Sequence, residues 1–468
     1  MSRFILLCIT GILSFSVVHA ELKLASLFSD NMVIQRDSYV PVWGFADPMT
    51  EVAVRGSWCK QWSRVTSDSA GKWKVYIKTP PAGGPFSIWC KSKSDKAEVR
   101  NVLSGEVWLC GGQSNMEMTV RGSLNQPVLH ANDILMDADN EQIRLMRIAR
   151  NAQLIPQDTC RGQWKTASSV SIRYFSLVGY LFAKTLQKQL KVPVGMIETS
   201  WGGSAIQPWM SRECLESMNI SVPNDFRNFK VHRRAPSSLY NGMVAPIAGF
   251  GIRGFLWYQG ESNVGDPDLY RRLLPEMVKD WRKSWNNDTL PFYYVQDAPY
   301  DYPNGNGALL REAQLKAYKD IPYSGMVVIT DAGIEKCIHP SNKSIVAKRL
   351  IYWAMNRTYG KRAIACDFPE LDSYVVKDGK MLLQFKNAPN GLTSYNKPIT
   401  LFEVAGEDRV FYPAKAVIGK EKGIVVWNDQ VKNPVAVRYG FRSWIKGELY
   451  STEGIPVPSF RTDNWNVE

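Results

Sequence analysis

Hydrolysis through a covalent intermediate needs a nucleophilic hydroxyl or thiol, a base within reach and N–H donors aimed at the oxyanion. One stretch offers the nucleophile. Ser114 closes Trp108-Leu109-Cys110-Gly111-Gly112-Gln113-Ser114, an apolar strand-like run with two glycines near its end. Glycines there permit a tight turn and a close approach of substrate to backbone, the logic of a nucleophile elbow, although GxSxG itself is absent. Such glycines more often make only a turn, so Ser114 needs partners. Histidine is scarce, with four in the chain, and His19 lies in the N-terminal leader. His130 sits in a polar stretch, and His232 stands beside Arg233 and Arg234, which disfavour it as a base. His339, in Ile338-His339-Pro340-Ser341-Asn342-Lys343, falls on a loop between a strand ending near Asp331 and a helix starting near Asn342. A proline-fixed loop at a strand's carboxyl end is where an α/β hydrolase places its base.

Two more loops offer oxyanion donors. Ser200-Trp201-Gly202-Gly203-Ser204 follows a strand and leaves glycine N–H groups free to point at a ligand. Trp257-Tyr258-Gln259-Gly260-Glu261-Ser262-Asn263 follows another, and Asn263 can donate through its amide. Each alone reads as a turn. Four such loops, each at a strand's carboxyl end, argue for one site.

The elements that must hold these loops follow from periodicity. Between 103 and 365, strand-like runs (Glu106 to Cys110, Pro193 to Glu198, Ile252 to Tyr258, Pro291 to Gln296, Gly325 to Thr330) alternate with helical stretches (Tyr174 to Leu190, Pro267 to Trp285, Leu309 to Lys319, Asn342 to Tyr359). Leu177, Leu181, Ala183 and Leu186 recur at helical spacing, as a helix lying on a sheet requires. Alternation of this kind predicts a parallel sheet covered on both faces, with ligands at the strands' carboxyl ends. Residues 21–102 read as a small immunoglobulin-like β-sandwich of short strands between turn residues, and 366–468 as a β-rich region with a proline-rich tail. A spacer role for the first sandwich outweighs a carbohydrate-binding one.

The 468 residues suit two or three domains, and 45% hydrophobic with 22% charged residues excludes a coiled coil or a mainly disordered chain. Residues 1–20 read as a cleaved signal peptide, with Arg3 before an apolar run and Val18-His19-Ala20 as a small-x-small site. Export to the periplasm or beyond is the expectation, with no membrane span. Seven cysteines follow Cys8; Cys59 and Cys90 are a candidate pair, but free cysteines are the simpler reading, and no spacing suits a zinc or CxxC site. A net charge of +13 is spread along the chain without a basic block, which excludes a nucleic-acid motif and leaves room for anionic substrates.

Together GQSNM at a strand end, QGESN after Trp257-Tyr258 and IHPSNK before a helix resemble the sialate O-acetylesterase family of SGNH hydrolases. The likeness runs from about residue 23 to 464 and includes Ser238-Leu239-Tyr240-Asn241-Gly242-Met243, Val437-Arg438-Tyr439-Gly440 and Pro458-Ser459-Phe460-Arg461-Thr462-Asp463. It implies a three-layer α/β/α catalytic domain between β modules, removal of acetyl groups from sugar hydroxyls, and no metal or cofactor. Carried over, Ser114 is the nucleophile, His339 the base, and the Ser114 N–H, Gly202, Gly203 and Asn263 the oxyanion donors. Many SGNH enzymes carry an aspartate three residues before the histidine; that position is Lys336 here, and Cys337 stands where several relatives have an aspartate. The third member is therefore open among Glu261, Asp331, Glu335 and a backbone carbonyl, with Glu261 and Asp331 ranked first. Gln113, Trp201, Tyr258, Gln259 and Arg311 are expected to line the substrate site, Arg311 as a partner for a carboxylate. The substrate expectation is an O-acetylated sialic acid. Acetylated plant polysaccharide such as xylan is the rival, and a non-catalytic sugar-binding protein on the same fold the alternative of another class.

Overall fold

The computed structural model describes residues 21–419 and 422–467; the expected signal peptide at 1–20 lies outside the described residues. One strand, Lys96–Gly112, ties the chain together. Its first half pairs with Gly83–Lys91 and Val33–Gln35 in the N-terminal β-sandwich. From Val102 onward every residue is buried, and the second half runs between Val194–Ser200 and Gly254–Tyr258, parallel to both. The strand thus passes unbroken from one module into the next. In the sandwich, Lys72–Lys78 alternates strictly, turning Trp73, Val75 and Ile77 inward and its lysines outward.

The central sheet runs Trp164–Ala167, Asn140–Arg147, Val194–Ser200, Lys96–Gly112, Gly254–Tyr258, Phe292–Val295, Ser324–Val327. All neighbours are parallel except the Trp164–Ala167 edge, which is antiparallel. A parallel sheet is buried on both faces, and alternation then sorts side chains between two cores. Phe255 and Trp257 join Trp281, Tyr270 and Leu310 on one face; Leu256 and Tyr258 join Trp108, Phe182 and Trp353 on the other. Helices Pro267–Ser284 and Gly307–Tyr318 cover the first face, Leu177–Leu190 and Lys343–Trp353 the second. The result is a three-layer α/β/α domain. Local chemistry starts its helices: Ser176, Asp266, Asn306 and Asn342 each accept a backbone N–H of the first turn, and Pro267 opens its helix.

The C-terminal region forms two four-stranded sheets and a two-stranded ribbon, and its two larger sheets share a core around Leu383, Phe402, Val404 and Val426. It is pinned to the α/β/α domain by Arg461 on Glu312 at 2.9 Å and by the Gly447 N–H on the Thr330 carbonyl at 2.9 Å. At the other joint, buried Glu106 accepts from Arg36 and Arg253, each at 2.7 Å, and from the Tyr359 hydroxyl at 3.0 Å. Among the described residues no helix is long and apolar enough to cross a membrane. Cys59 is exposed and Cys90 lies in the sandwich core, so the candidate disulfide does not form; all seven described cysteines are free.

Candidate active site

Lys96–Gly112 comes first in the chain but sits inside the sheet, with its sequence successors on either side. Such a reversal of strand order opens a crevice at the carboxyl ends, and Ser114 stands at its mouth. Gly112 makes the exit possible. Its φ is +137°, and a Cβ there would fall 2.1 Å from the Tyr258 carbonyl oxygen. Ser114 then begins a single helical turn, Ser114–Glu117, whose Met116 and Glu117 N–H groups return to the Gln113 carbonyl.

His339 reaches over from the loop before the Lys343–Trp353 helix. Its Nε2 lies 2.7 Å from Ser114 Oγ, so the structure brings these two sequence-identified residues together. The other ring nitrogen, Nδ1, meets Gln126 Oε1. An amide oxygen accepts, so this contact places the proton on Nδ1 and leaves Nε2 free to take one from Ser114. Burial, with the charge of Lys343 in support, pushes the His339 pKa down to about 4. The imidazole is therefore a neutral base across the ordinary pH range.

Neither ranked carboxylate is the partner of His339 in this geometry. Asp331 forms a two-point ion pair with Arg349 at 2.7 and 2.8 Å, which consumes both its oxygens. Glu335 is exposed on the loop surface. Glu261 is buried beneath the site and accepts from Asn115 Nδ2 through one oxygen. Asn115 in turn accepts from Lys343 Nζ at 2.5 Å and donates to the Ile338 carbonyl at 3.1 Å. Glu261 therefore braces the loop that carries His339, one residue away from the imidazole. Burial raises the Glu261 pKa, with Asn115 and Lys343 pulling the other way; burial lowers Lys343 to about 7 against the pull of Glu261. Asp297 nearby is pushed well up by burial and by Glu261 itself.

The glycine loop after Val194–Ser200 crosses directly over Ser114. A Cβ at Gly202 would lie 3.2 Å from Ser114 Cβ, and Gly203 holds φ at +70°. The Gly202 N–H, however, donates to Glu117 Oε2 at 2.8 Å, which removes it from the free oxyanion donors. Glu117 Oε1 also gathers Arg147 at 2.9 Å and Arg150 at 2.5 Å. Asn263 accepts from the Ile206 N–H and from Gln259 Nε2 through its oxygen, and donates one amide hydrogen to Gln207 at 3.2 Å. Its second amide hydrogen is uncommitted among the described bonds.

Most of the expected sugar-lining residues sit elsewhere. Gln113 and Gln259 are buried and bond each other at 3.1 Å, with Gln113 also taking the Ser262 N–H at 3.2 Å, so they join two loops from behind. Tyr258 is buried under the Lys343 ammonium, 5.7 Å from its ring centre. Arg311 is fully buried and donates to the carbonyls of Arg442 at 2.6 Å and Ser443 at 3.2 Å. It fastens the C-terminal region rather than facing a substrate. Trp201 alone keeps partial exposure beside the glycines, with the Arg150 guanidinium 5.7 Å from its ring centre. Gln126, Glu117, Arg150 and Arg233 escaped the sequence reading, because none belongs to a motif. The arginine pair flanking His232 counted only against that histidine.

A close Ser–His pair at the switch point of a three-layer α/β/α sheet is the arrangement that a serine hydrolase requires. The family described as carbohydrate esterase, sialic acid-specific acetylesterase, matches residues 104–348. The fold resembles the crystal structure of a carbohydrate acetylesterase from Xanthomonas citri, with TM-score 0.87 and 33% identity, covering 95% of this chain and all of that one. Sialate O-acetylesterases of Homo sapiens and Pongo abelii are 26% and 27% identical, each match covering 94% of this chain and 92% of theirs. The chain belongs to this carbohydrate esterase family and is a hydrolase.

Proposed function

We propose that the chain removes acetyl groups from the hydroxyls of O-acetylated sialic acids through an acetyl-enzyme on Ser114. The observation that carries the reading is the 2.7 Å contact between Ser114 Oγ and His339 Nε2. Ser114 Oγ attacks the acetyl carbonyl carbon while His339 takes its proton. As the tetrahedral intermediate collapses, the sugar–acyl bond breaks and His339 returns that proton to the sugar oxygen. Water, deprotonated by His339, then attacks the acetyl carbon, the Ser114 Oγ–acyl bond breaks, His339 returns the proton to Oγ, and acetate leaves. The developing oxyanion is held by the Ser114 N–H, the Gly203 N–H and the spare Asn263 amide hydrogen; one such donor is worth roughly 3 kcal/mol of barrier. Gln126 fixes the imidazole without a carboxylate and is a positioning residue.

The test is acetate release by wild type and Ser114→Ala from 9-O-acetylated sialic acid and from acetylated xylan in parallel. Release by wild type alone supports the reading. Silence of the folded wild type on both substrates overturns it. Faster release from xylan favours the second reading, an esterase of neutral acetylated polysaccharide, to which the 33% identity with an acetylesterase not named for sialic acid lends weight. Export rests on residues 1–20, and N-terminal sequencing of the mature protein, expected to begin at Glu21, tests it.

A further inference from the structure

We propose that Arg233, with Arg150 beside Trp201, forms a subsite for the carboxylate of an acidic acetylated sugar. The proposal rests on the acetylesterase reading and adds the charge of its substrate. Two consecutive glycines lead from the nucleophile to this guanidinium. Gly202 packs against Ser114, and a Cβ at Gly203 would stand 3.3 Å from Arg233 Nη2. With about 3.8 Å between neighbouring Cα atoms, the guanidinium lies on the order of 10 Å from Ser114, close enough for one ligand to reach both.

The three arginines here are not equally occupied. Arg147 gives one Nη to Glu117 at 2.9 Å and the other to the Tyr174 carbonyl at 2.8 Å. Arg150 shares Glu117 but is half exposed over Trp201. Arg233 spends only its Nε, on the Gly202 carbonyl at 2.8 Å; among the described residues no carboxylate pairs with it and no acceptor takes its Nη groups. A half-buried guanidinium with a free fork is matched by a carboxylate, which accepts two parallel N–H bonds. The local charge balance agrees. Arg147 and Arg150 share Glu117, Arg147 also stands 3.7 Å from Glu198, and Arg233 adds a third guanidinium with no carboxylate of its own among the described residues. Burial holds Glu198 up at about 7, so it supplies only part of a negative charge at neutral pH. A neutral acetylated sugar has no group that uses this excess.

The experiment compares kcat/KM for 9-O-acetylated sialic acid, its carboxyl methyl ester and acetylated xylo-oligosaccharide. Wild type is expected to prefer the free acid over the methyl ester by about tenfold or more, mainly through KM, with the preference shrinking as salt rises. Arg233→Gln should bring that ratio to within about twofold, Arg233→Lys should fall between, and Lys93→Gln, the same charge lost from the N-terminal sandwich, should leave it as in wild type. Should Arg233→Gln fail to fold, Arg150→Gln carries the same test. Equal rates on acid and methyl ester in wild type, or an unchanged ratio in Arg233→Gln, overturn the subsite while the esterase reading stands. If no sugar loses acetate, that reading fails instead. Calorimetric titration of Ser114→Ala with unacetylated sialic acid, with and without Arg233→Gln, then decides the subsite: binding lost with the arginine upholds it, and absent or unaltered binding rejects it.

Discussion

Two buried glutamates flank Ser114, and they are built in opposite ways. Glu117, on the serine's own helical turn, faces Arg147, Arg150 and the Gly202 N–H, so both oxygens are taken by strong donors. Glu261, on the opposite loop, bonds Asn115 through one oxygen, while its Oε2 has no partner among the described residues and shares the interior with Asp297. One is a filled electrostatic hub; the other is a carboxyl group that its surroundings push toward neutrality. Neither touches His339, which is served by the uncharged Gln126. The difference teaches that carboxylates near a histidine such as His339 can brace the loops around it without orienting the ring.

The largest expected effect separates orientation from bracing. Gln126→Ala should lower kcat by about a hundredfold, roughly 3 kcal/mol, with little change in KM, because the imidazole loses the acceptor that sets its tautomer. Gln126→Glu should restore most of it. Should Gln126→Ala turn over normally while Glu261→Gln is silent, the assignment of roles is reversed.

Next is the hub. Glu117→Gln takes away the carboxylate that Arg147 and Arg150 share, leaving Arg147 only Glu198 at 3.7 Å, and sets an amide NH2 against either the Gly202 N–H or the guanidinium groups. A cost of about 2 kcal/mol in urea unfolding is expected, since charged hydrogen bonds of this kind contribute ~1.5–3 kcal/mol. An unfolding midpoint equal to that of wild type would show that the hub does not hold the glycine loop.

Much of this frame was legible in sequence. The parallel strands and covering helices follow from alternation, as in Phe255 and Trp257 against Leu256 and Tyr258. Ser114, His339 and Asn263 stand on short loops directly after or before those elements, where local sequence decides position. Gln126 was not legible, because it lies on a loop whose approach to His339, 213 residues later, is set by tertiary packing alone. Arg311 misled for a related reason: its helix position borders the site, but the C-terminal region, threaded back over that helix, captures the guanidinium with backbone carbonyls. Arg233 was hidden in a polar loop with no periodicity to place it.

The pH profile sharpens the contrast between a neutral and a charged partner for His339. With the imidazole pKa held at about 4 by burial and Lys343, kcat/KM should stay level as pH falls from neutrality and decline only near that value. Gln126→Glu puts a negative charge beside Nδ1, which favours the imidazolium and should raise the acid limb by about one pH unit. Stability moves with the same proton. His339 is neutral in the fold at pH values where the unfolded chain already binds a proton, so its contribution is full above the unfolded value of 6.5 and is lost as pH falls toward about 4. In Gln126→Glu that loss should begin at the same pH but end earlier, because the folded pKa is higher. Unfolding curves of the two proteins between pH 7 and 4 measure this, and identical slopes would mean that the group at position 126 does not sense the charge on His339.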